Sequence, residues 1–232
     1  MSLKREQLEK LTPLQSMVIL GNLMGNMQIQ KNHEARDSNC RLRFSHSVEQ
    51  REYILWKHKA LLDPFCKSTQ GLHLEKCKKD QRYSSYIFYT EQRAEFNDIH
   101  YKWYIPRFSN FRNAVKTVPL DLPLALTDPL SLVVRYLDDG TKRVDAESCQ
   151  IATQSFTRQE NEIIKVCLLD DFKIDSKIQD WGRDKAGNAT YHIAILSSKK
   201  GSCYSKLRDL LYTIVEANMS SILYKLQKPR ND

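Results

Sequence analysis

Leu126-Thr127-Asp128-Pro129-Leu130-Ser131-Leu132-Val133-Val134-Arg135-Tyr136-Leu137-Asp138-Asp139-Gly140 is the stretch that decides how this chain folds. Asp128 is placed to cap the first free backbone N–H groups of a helix. Pro129 then falls at the first helical position, where its missing N–H costs nothing. An apolar run follows, closed by two carboxylates and a glycine. The same opening occurs once before, where Leu11-Thr12-Pro13-Leu14 leads into Ile19-Leu20-Gly21-Asn22-Leu23-Met24-Gly25-Asn26. The chain starts the same kind of helix twice and ends the two differently. One ends in Asp138-Asp139-Gly140, the other in Gly25-Asn26-Met27.

The duplication extends beyond these helices. Arg41-Leu42-Arg43-Phe44-Ser45-His46 precedes Ser47-Val48-Glu49-Gln50 and a helical run to about Leu62. Ile151-Ala152-Thr153-Gln154-Ser155-Phe156 precedes Thr157-Arg158-Gln159-Glu160 and a helical run to Leu169. Both starts read as a capping box, S/T-x-x-E/Q. Strand-like Tyr86 to Thr90 and Tyr191 to Ser197 each lead into a further helix, and Lys116-Thr117-Val118-Pro119 and Lys225-Leu226-Gln227-Lys228-Pro229 close the halves. Asn26 and Asp139, Ser47 and Thr157, Thr90 and Ser197, Lys116 and Lys225 are offset by roughly 107 to 113 residues, in the same order, which marks an internal repeat. The expected organisation is therefore two repeats of mixed helix and strand, 1–121 and 122–232.

The full chain has 232 residues, 41% of them apolar, with three Trp, eleven Tyr and eight Phe, enough for one large core or two small ones. Its formal net charge is +8. That suits a polyanion such as nucleic acid, although a merely solvated basic surface reads the same way. The basic residues are spread over predicted strands and loops (Arg41 and Arg43, Lys76 to Lys79, Lys142 and Arg143, Lys173 and Lys177, Arg183 and Lys185), which favours a broad charged surface over a basic arm. Cys40, Cys66, Cys77, Cys149, Cys167 and Cys203 form no C-x-x-C or zinc-like pattern, and Met1-Ser2-Leu3-Lys4-Arg5 does not begin a secretory signal. Disulfides and secretion are not expected, nor is a membrane span, because no apolar run approaches ~18 residues. His33, His46, His58, His73, His100 and His192 lack helical metal spacing, and there is no G-x-S-x-G, Walker or dinucleotide loop. Hydrolase triads, kinases and Rossmann enzymes are poorly supported.

Three local patterns carry chemistry. Asp138 and Asp139 at a helix C-terminus oppose the negative pole of the dipole, so a cation should compensate; a divalent metal is one candidate, and an ordinary helix stop is the other reading. Gly21 and Gly25, four apart on one face, each cost on the order of 1 kcal/mol in a helix. Close approach of another helix would justify them. Finally, Arg41, Arg43 and Ser45 alternate with Leu42 and Phe44, Gln28 and Gln30 with Met27 and Ile29, and Lys173, Asp175, Lys177 and Gln179 with Ile174 and Ile178. Such one-sided polar sheets suit base edges and phosphates in a major groove, and equally an ordinary solvated sheet.

Taken together, these residues resemble the LAGLIDADG homing endonucleases in their single-chain, two-repeat form, a yeast mitochondrial member in particular. Leu132 to Gly140 fits the motif in its apolar register and terminal Asp-Asp-Gly, and Ile19 to Asn26 fits it with glycines in packing positions. The resemblance covers nearly the whole chain. It implies one compact α+β body acting as a monomer, of two pseudo-symmetric αββαββα halves, each with a motif helix and a four-stranded sheet, with the motif helices paired at the centre and two curved antiparallel DNA-binding sheets. It implies an intron-encoded, site-specific double-strand DNA endonuclease that binds a long asymmetric duplex, in an organelle (mitochondrion or chloroplast) or a bacterial cytoplasm. Asp139 and position 26 would hold a divalent cation, usually Mg²⁺, helped by the backbone carbonyls of Gly25 and Asp138. Lys116 and Lys225 would stabilise phosphate charge or order the attacking water. Gln28, Gln30, Arg41, Arg43, Ser45, Lys142, Arg143, Lys173, Lys177, Gln179 and Arg183 would contact DNA. The departure is Asn26, a neutral ligand where the family has Asp or Glu, which implies impaired cleavage or nicking. Alternatives on the same scaffold are a maturase binding intron RNA and a non-cleaving DNA-binding regulator.

Overall fold

The computed structural model describes residues 11–31, 38–66, 71–77, 80, 83–107, 110–144, 146–197 and 203–226. Lys78, Lys79, Lys228 and Pro229 lie outside the described residues. The chain clusters into two compact units, Met1–Val115 and Lys116–Asp232.

In the first unit α1 (Pro13–Met24) leads to β1 (Gln28–Lys31) and β2 (Cys40–Ser47), then α2 (Arg51–Ala60) and the short α3 (Leu62–Phe65). Next come β3 (His73–Lys76), β4 (Ser84–Tyr89), α4 (Glu95–Trp103) and the hairpin β5 (Tyr104–Arg107) and β6 (Asn110–Lys116), whose last residue opens the second unit. In the second unit a short α5 (Leu122–Ala125) precedes α6 (Pro129–Asp139), β7 (Gly140–Lys142) and β8 (Cys149–Ala152). They are followed by α7 (Arg158–Asp170), β9 (Lys177–Arg183), β10 (Ala189–Ile195), α8 (Cys203–Asn218) and a 3₁₀ turn, Ser220–Lys225. Each unit has one four-stranded antiparallel sheet, ordered β1-β2-β4-β3 in one and β7-β8-β10-β9 in the other. The two orders are the same pattern, so the mixed α/β fold of two αββαββα repeats stands.

Local chemistry sets the helix starts. Thr12 accepts from Gln15 N–H at 3.2 Å, while Gln15 Oε1 accepts from Thr12 N–H at 3.0 Å. Asp128 accepts from Leu130 N–H at 2.8 Å. Thr157 and Glu160 form the reciprocal box of α7, with Thr157 N–H donating to Glu160 Oε2 at 2.6 Å. The expected box at Ser47 does not form. Ser47 is still paired with Ser85 in the sheet, the chain enters α2 through a 3₁₀ turn at Val48–Gln50, and the cap falls on Gln50 without a side-chain bond.

The cores follow the alternation of the strands. Leu42, Phe44 and Phe88 face Tyr53, Ile54 and Phe96, all at most 1% exposed, with Phe44 and Phe88 stacked at 4.5 Å. In the second unit Ile151, Ile193 and Ile195 join Ile164, Leu168, Leu207 and Leu211. Leu132, Val133, Val134 and Leu137 are at most 1% exposed, and Ser131, Arg135 and Asp138 are buried along with them, so α6 is buried on most of its sides. All six cysteines are free, and among the described residues no helix is long and apolar enough to cross a membrane.

Candidate active site and nucleic-acid interface

Strand register places one polar face on each sheet. In the first unit Gln28 lies opposite Arg43 and Gln30 opposite Arg41; Arg43 in turn faces Tyr89, and Ser45 faces Ile87. Because side chains alternate, Gln28, Gln30, Arg41, Arg43 and Ser45 share one side, and Leu42 and Phe44 the other. The arginines are held in place before any ligand arrives. Arg41 lies 4.2 Å from the centre of the Tyr89 ring and donates to Gln30 Oε1 at 3.3 Å. Arg43 pairs with Glu75 at 3.3 Å. An open pocket of about 150 Å³ between Arg43, Ser45, Glu75, Lys76, Cys77, Ser85 and Ile87 lies on this face.

In the second unit Lys177 faces Ala194 and Gln179 faces His192 across the β9–β10 ladder; Gln150 and Ala152 continue the row on β8, and Thr141 on β7. His192 Nε2 and Gln179 Oε1 are 3.0 Å apart, and Trp181, 55% exposed, meets the His192 ring edge-on at 4.8 Å. Trp181, Gln150 and Glu75 escaped the sequence reading. Glu75 and Trp181 lie on edge strands whose residues are exposed on both sides, so no alternation marks them.

Three expected interface residues sit elsewhere. Lys173 is not in a strand. It adopts φ 56° in the turn that closes α7, where Ile174 N–H reaches Leu168 O at 2.9 Å, and its ammonium donates to Asp170 O at 2.6 Å. The polar row therefore begins at Lys177. Lys142 pairs with Cys149 on the side opposite Thr141 and donates to Leu226 O at 3.2 Å. Arg143 lies past β7, where its N–H closes the turn to Ser148 O at 3.0 Å. Arg183 stays at the end of β9, donating to Gly187 O at 2.9 Å.

The end of α6 gathers charge. Asp138 is buried, and the Asp139 side chain is 22% exposed. Arg135, one helical turn earlier and 2% exposed, donates from Nη1 to Asp139 Oδ2 and from Nη2 to Ala152 O. Its buried Nε makes no hydrogen bond. Lys225 donates to the carbonyls of Leu137 and, at 3.3 Å, Asp138, the negative end of the helix, and Tyr136 donates back to Lys225 O at 3.3 Å. Lys116 and Lys225 both feel Asp138 and Asp139. Burial, and after it the nearby Arg135 charge, lower the Lys116 pKa to about 8 against the opposing pull of the two aspartates. Burial also depresses Lys225, again against the two aspartates. The structure thus brings Asp138, Asp139, Lys116 and Lys225 together. Arg135 was missed as part of the site, although a lone charge in an apolar helix, four residues before Asp139, is the signal for it.

The donor set fits a hard divalent cation. Among the described residues Asp139 Oδ1 receives no hydrogen bond, and no three His, Cys, Asp or Glu gather as ligands. Oxygen donors this few suit an ion such as Mg²⁺ or Mn²⁺ that keeps several waters and shares its coordination with phosphate.

The end of α1 is built otherwise. Gly25 N–H and Met27 N–H donate to Asn22 O at 2.9 and 3.2 Å, and Asn26 is exposed. Beneath it, Asn22 Oδ1 accepts from Lys57 Nζ at 2.5 Å, and Lys57 Nζ also lies 2.7 Å from His46 Nε2. With Nζ donating, Nε2 is the acceptor and Nδ1 carries the proton that goes to Gln50 Oε1 at 2.9 Å.

Comparison with known proteins agrees with this geometry. The family model described as LAGLIDADG DNA endonuclease family matches residues 16–201. The cytochrome b mRNA maturase bI2 of Debaryomyces hansenii is 25% identical over 167 residues, 69% of this chain and 56% of that protein. A protein RecA of Mycolicibacterium fallax is 31% identical over 164 residues, 68% of this chain and 32% of that protein. The chain therefore spans about half the length of the first relative and a third of the second. Among solved structures, the homing endonuclease I-WcaI bound to its DNA recognition sequence superposes with a TM-score of 0.70 at 20% identity, over 99% of this chain and 94% of that one. That likeness is one of fold.

Proposed function

The chain belongs to the LAGLIDADG DNA endonuclease family, and from that premise we propose that it is a site-specific endonuclease hydrolysing phosphodiester bonds in duplex DNA with a divalent cation. The observation that carries the reading is the cluster at the end of α6, where Asp138 and Asp139 stand with Arg135, Lys116 and Lys225. A cation bound there would polarise phosphate and lower the pKa of a water.

The chain's own groups do the rest. Asp139 and Asp138 would hold the cation, Asp139 through its open Oδ1. Lys116 and Lys225 would place positive charge beside a phosphate whose negative charge grows in the transition state, and removing one such group typically costs about 3 kcal/mol. Position 26, with Gly25, would be the corresponding ligand position of repeat 1–121, as Asp139 is of repeat 122–232. Asn26 offers only a neutral amide oxygen, a weaker ligand for a hard cation.

The polar rows of the two sheets differ, with Gln28, Gln30, Arg41, Arg43 and Ser45 on one and Thr141, Gln150, Lys177 and Gln179 on the other. Two unlike rows suit a long asymmetric site read by a monomer, with side-chain amides and guanidinium groups on base edges and ammonium groups on phosphates.

The test is selection of bound sites from random duplex DNA, followed by nicking and cleavage assays with Mg²⁺ on the selected site. Specific binding that weakens steeply with salt is expected, with weak cleavage or nicking by the chain as written and double-strand cleavage by Asn26→Asp. Asp139→Asn should abolish what remains. Equal, robust cleavage by the chain as written and by Asn26→Asp would remove the ligand role from position 26. The similarity to a maturase favours one second reading, binding of intron RNA. Enrichment of no DNA site, together with tight binding of a cognate intron transcript, would establish that reading instead.

A further inference from the structure

Arg135 is hard to explain as part of a helix core. Its side chain is 2% exposed in a run whose neighbours Leu132, Val133, Val134 and Leu137 are apolar and buried. A buried guanidinium carries a large desolvation cost, and this one leaves Nε without a hydrogen bond. What it obtains in return is a two-pronged hold. Nη1 fixes Asp139 Oδ2, and Nη2 fixes Ala152 O on β8, so the carboxylate is tied to the sheet through the arginine. Among the described residues Asp139 Oδ1 receives no hydrogen bond, and its side chain is 22% exposed. The corresponding place in the first unit, four residues before Asn26, holds Asn22 and no charge on the helix itself.

We propose that Arg135 is a positioning residue that holds Asp139 in a single orientation, presenting Oδ1 to a divalent cation, while its charge weakens the attraction of that cation to the site. The proposal rests on the endonuclease reading. The two effects have opposite signs, and that separates them from a structural role. A carboxylate beside a fixed positive charge binds a dication less tightly than a free one does. The same carboxylate, held still, binds it in a defined place. Arg135 thus trades affinity for geometry.

The experiment is Mn²⁺ binding to the full chain, read by loss of the free-ion paramagnetic resonance signal, first without DNA and then with a selected duplex. It compares the chain as written with Arg135→Gln and Arg135→Lys, with thermal unfolding of each. Arg135→Gln is expected to bind Mn²⁺ about tenfold to thirtyfold more tightly, the effect of one unit charge on a dication about 4–6 Å away in a water-like dielectric. In the Asn26→Asp background it should cleave at least about tenfold more slowly at saturating Mn²⁺, as expected of a misplaced reacting group. Arg135→Lys keeps the charge and loses the fork, so Mn²⁺ affinity should stay near that of the chain as written while cleavage slows.

Unchanged or weaker Mn²⁺ binding by a folded Arg135→Gln overturns the proposal. If that variant does not fold, Arg135→Lys decides, and undiminished cleavage by it overturns the proposal equally. A chain that selects no DNA site defeats the endonuclease reading instead, and the Mn²⁺ comparison on the free protein still separates the two failures.

Discussion

Lys57 Nζ lies 2.5 Å from Asn22 Oδ1, and both side chains are at most 1% exposed. Asn22 stands four residues before Asn26 as Arg135 stands four before Asp139. Each unit therefore keeps a buried basic side chain beneath the end of its motif helix. In one it comes from α2; in the other it belongs to the helix itself. The amide of Asn22 is held on its other side as well, donating to Val18 O at 2.6 Å.

Removing only one member of such a pair is costly. Lys57→Met leaves Asn22 Oδ1 buried without its donor and should destabilise the chain by about 1–3 kcal/mol. Replacing both, Lys57→Met with Asn22→Leu, should recover only part of that loss, because Asn22 Oδ1 is gone but His46 Nε2 still loses Lys57 Nζ. Urea unfolding of the four proteins in a double-mutant cycle measures the coupling. Simple additivity would mean that the contact contributes nothing.

Lys116 gives stability a pH dependence of definite sign. Its pKa is lowered from 10.5 to about 8 by burial and by Arg135, against Asp139 and Asp138. Between those values the unfolded chain binds a proton that the folded chain does not, so this residue makes stability rise with pH across that window. Below it, folding carries the full penalty of the buried ammonium. Lys116→Met should therefore be more stable than the chain as written at pH 7, with the difference fading toward pH 10.5. Denaturant midpoints across that range check it, and a constant difference would refute it.

Gly140 is confined by its neighbour's backbone. A Cβ built there would lie 2.5 Å from Tyr136 O and against the Tyr136 ring, which is 1% exposed. Gly140→Ala must shift the last turn of α6, where Asp139 sits. A loss of about 1–3 kcal/mol is expected, of the size seen for overpacking. Because the shift moves Asp139, cleavage in the Asn26→Asp background should fall further than the melting temperature alone would suggest. A Gly140→Ala protein with unchanged stability would mean that this turn yields freely.

Glu160 ties the start of α7 to the chain that enters the second unit. Its carboxylate accepts from Thr117 Oγ1, from Val118 N–H at 2.8 Å and from Thr157 N–H at 2.6 Å. Burial alone would raise its pKa, but these bonds outweigh it and hold the pKa below 4.5. The stability it contributes is complete above that value and is lost as pH falls through the folded pKa. Glu160→Gln should cost about 1–2 kcal/mol at pH 7 and much less at pH 3. Thermal unfolding at both pH values tests this, and an equal loss at both would assign the effect to packing.

Much of this was written in local chemistry. Thr12, Asp128 and Thr157 cap the helices expected of them because capping needs only a short polar side chain next to the first turn. β2 was legible because one face is packed and the other is not. The failures have the opposite cause. Ser47 carries the capping pattern, but the sheet claims it first. Lys173 follows an alternating pattern that begins while α7 is still closing, and its left-handed backbone takes it out of the row. Lys57 sits in a helix of mean charged character, and nothing in its neighbours announces that it points inward. The acidic end of α6 was plain, whereas its arginine read as an accident of composition.

The two sheets share a strand order, but each rests on its own core, Leu42, Phe44 and Phe88 under one and Ile151, Ile193 and Ile195 under the other. A substitution on one polar row therefore bears on the packing of its own sheet, and substitutions that share no packing add in free energy. If the two rows read DNA as proposed, preference for one part of a target can then change residue by residue while the remainder stays as it was, so a new target would be reached by instalments.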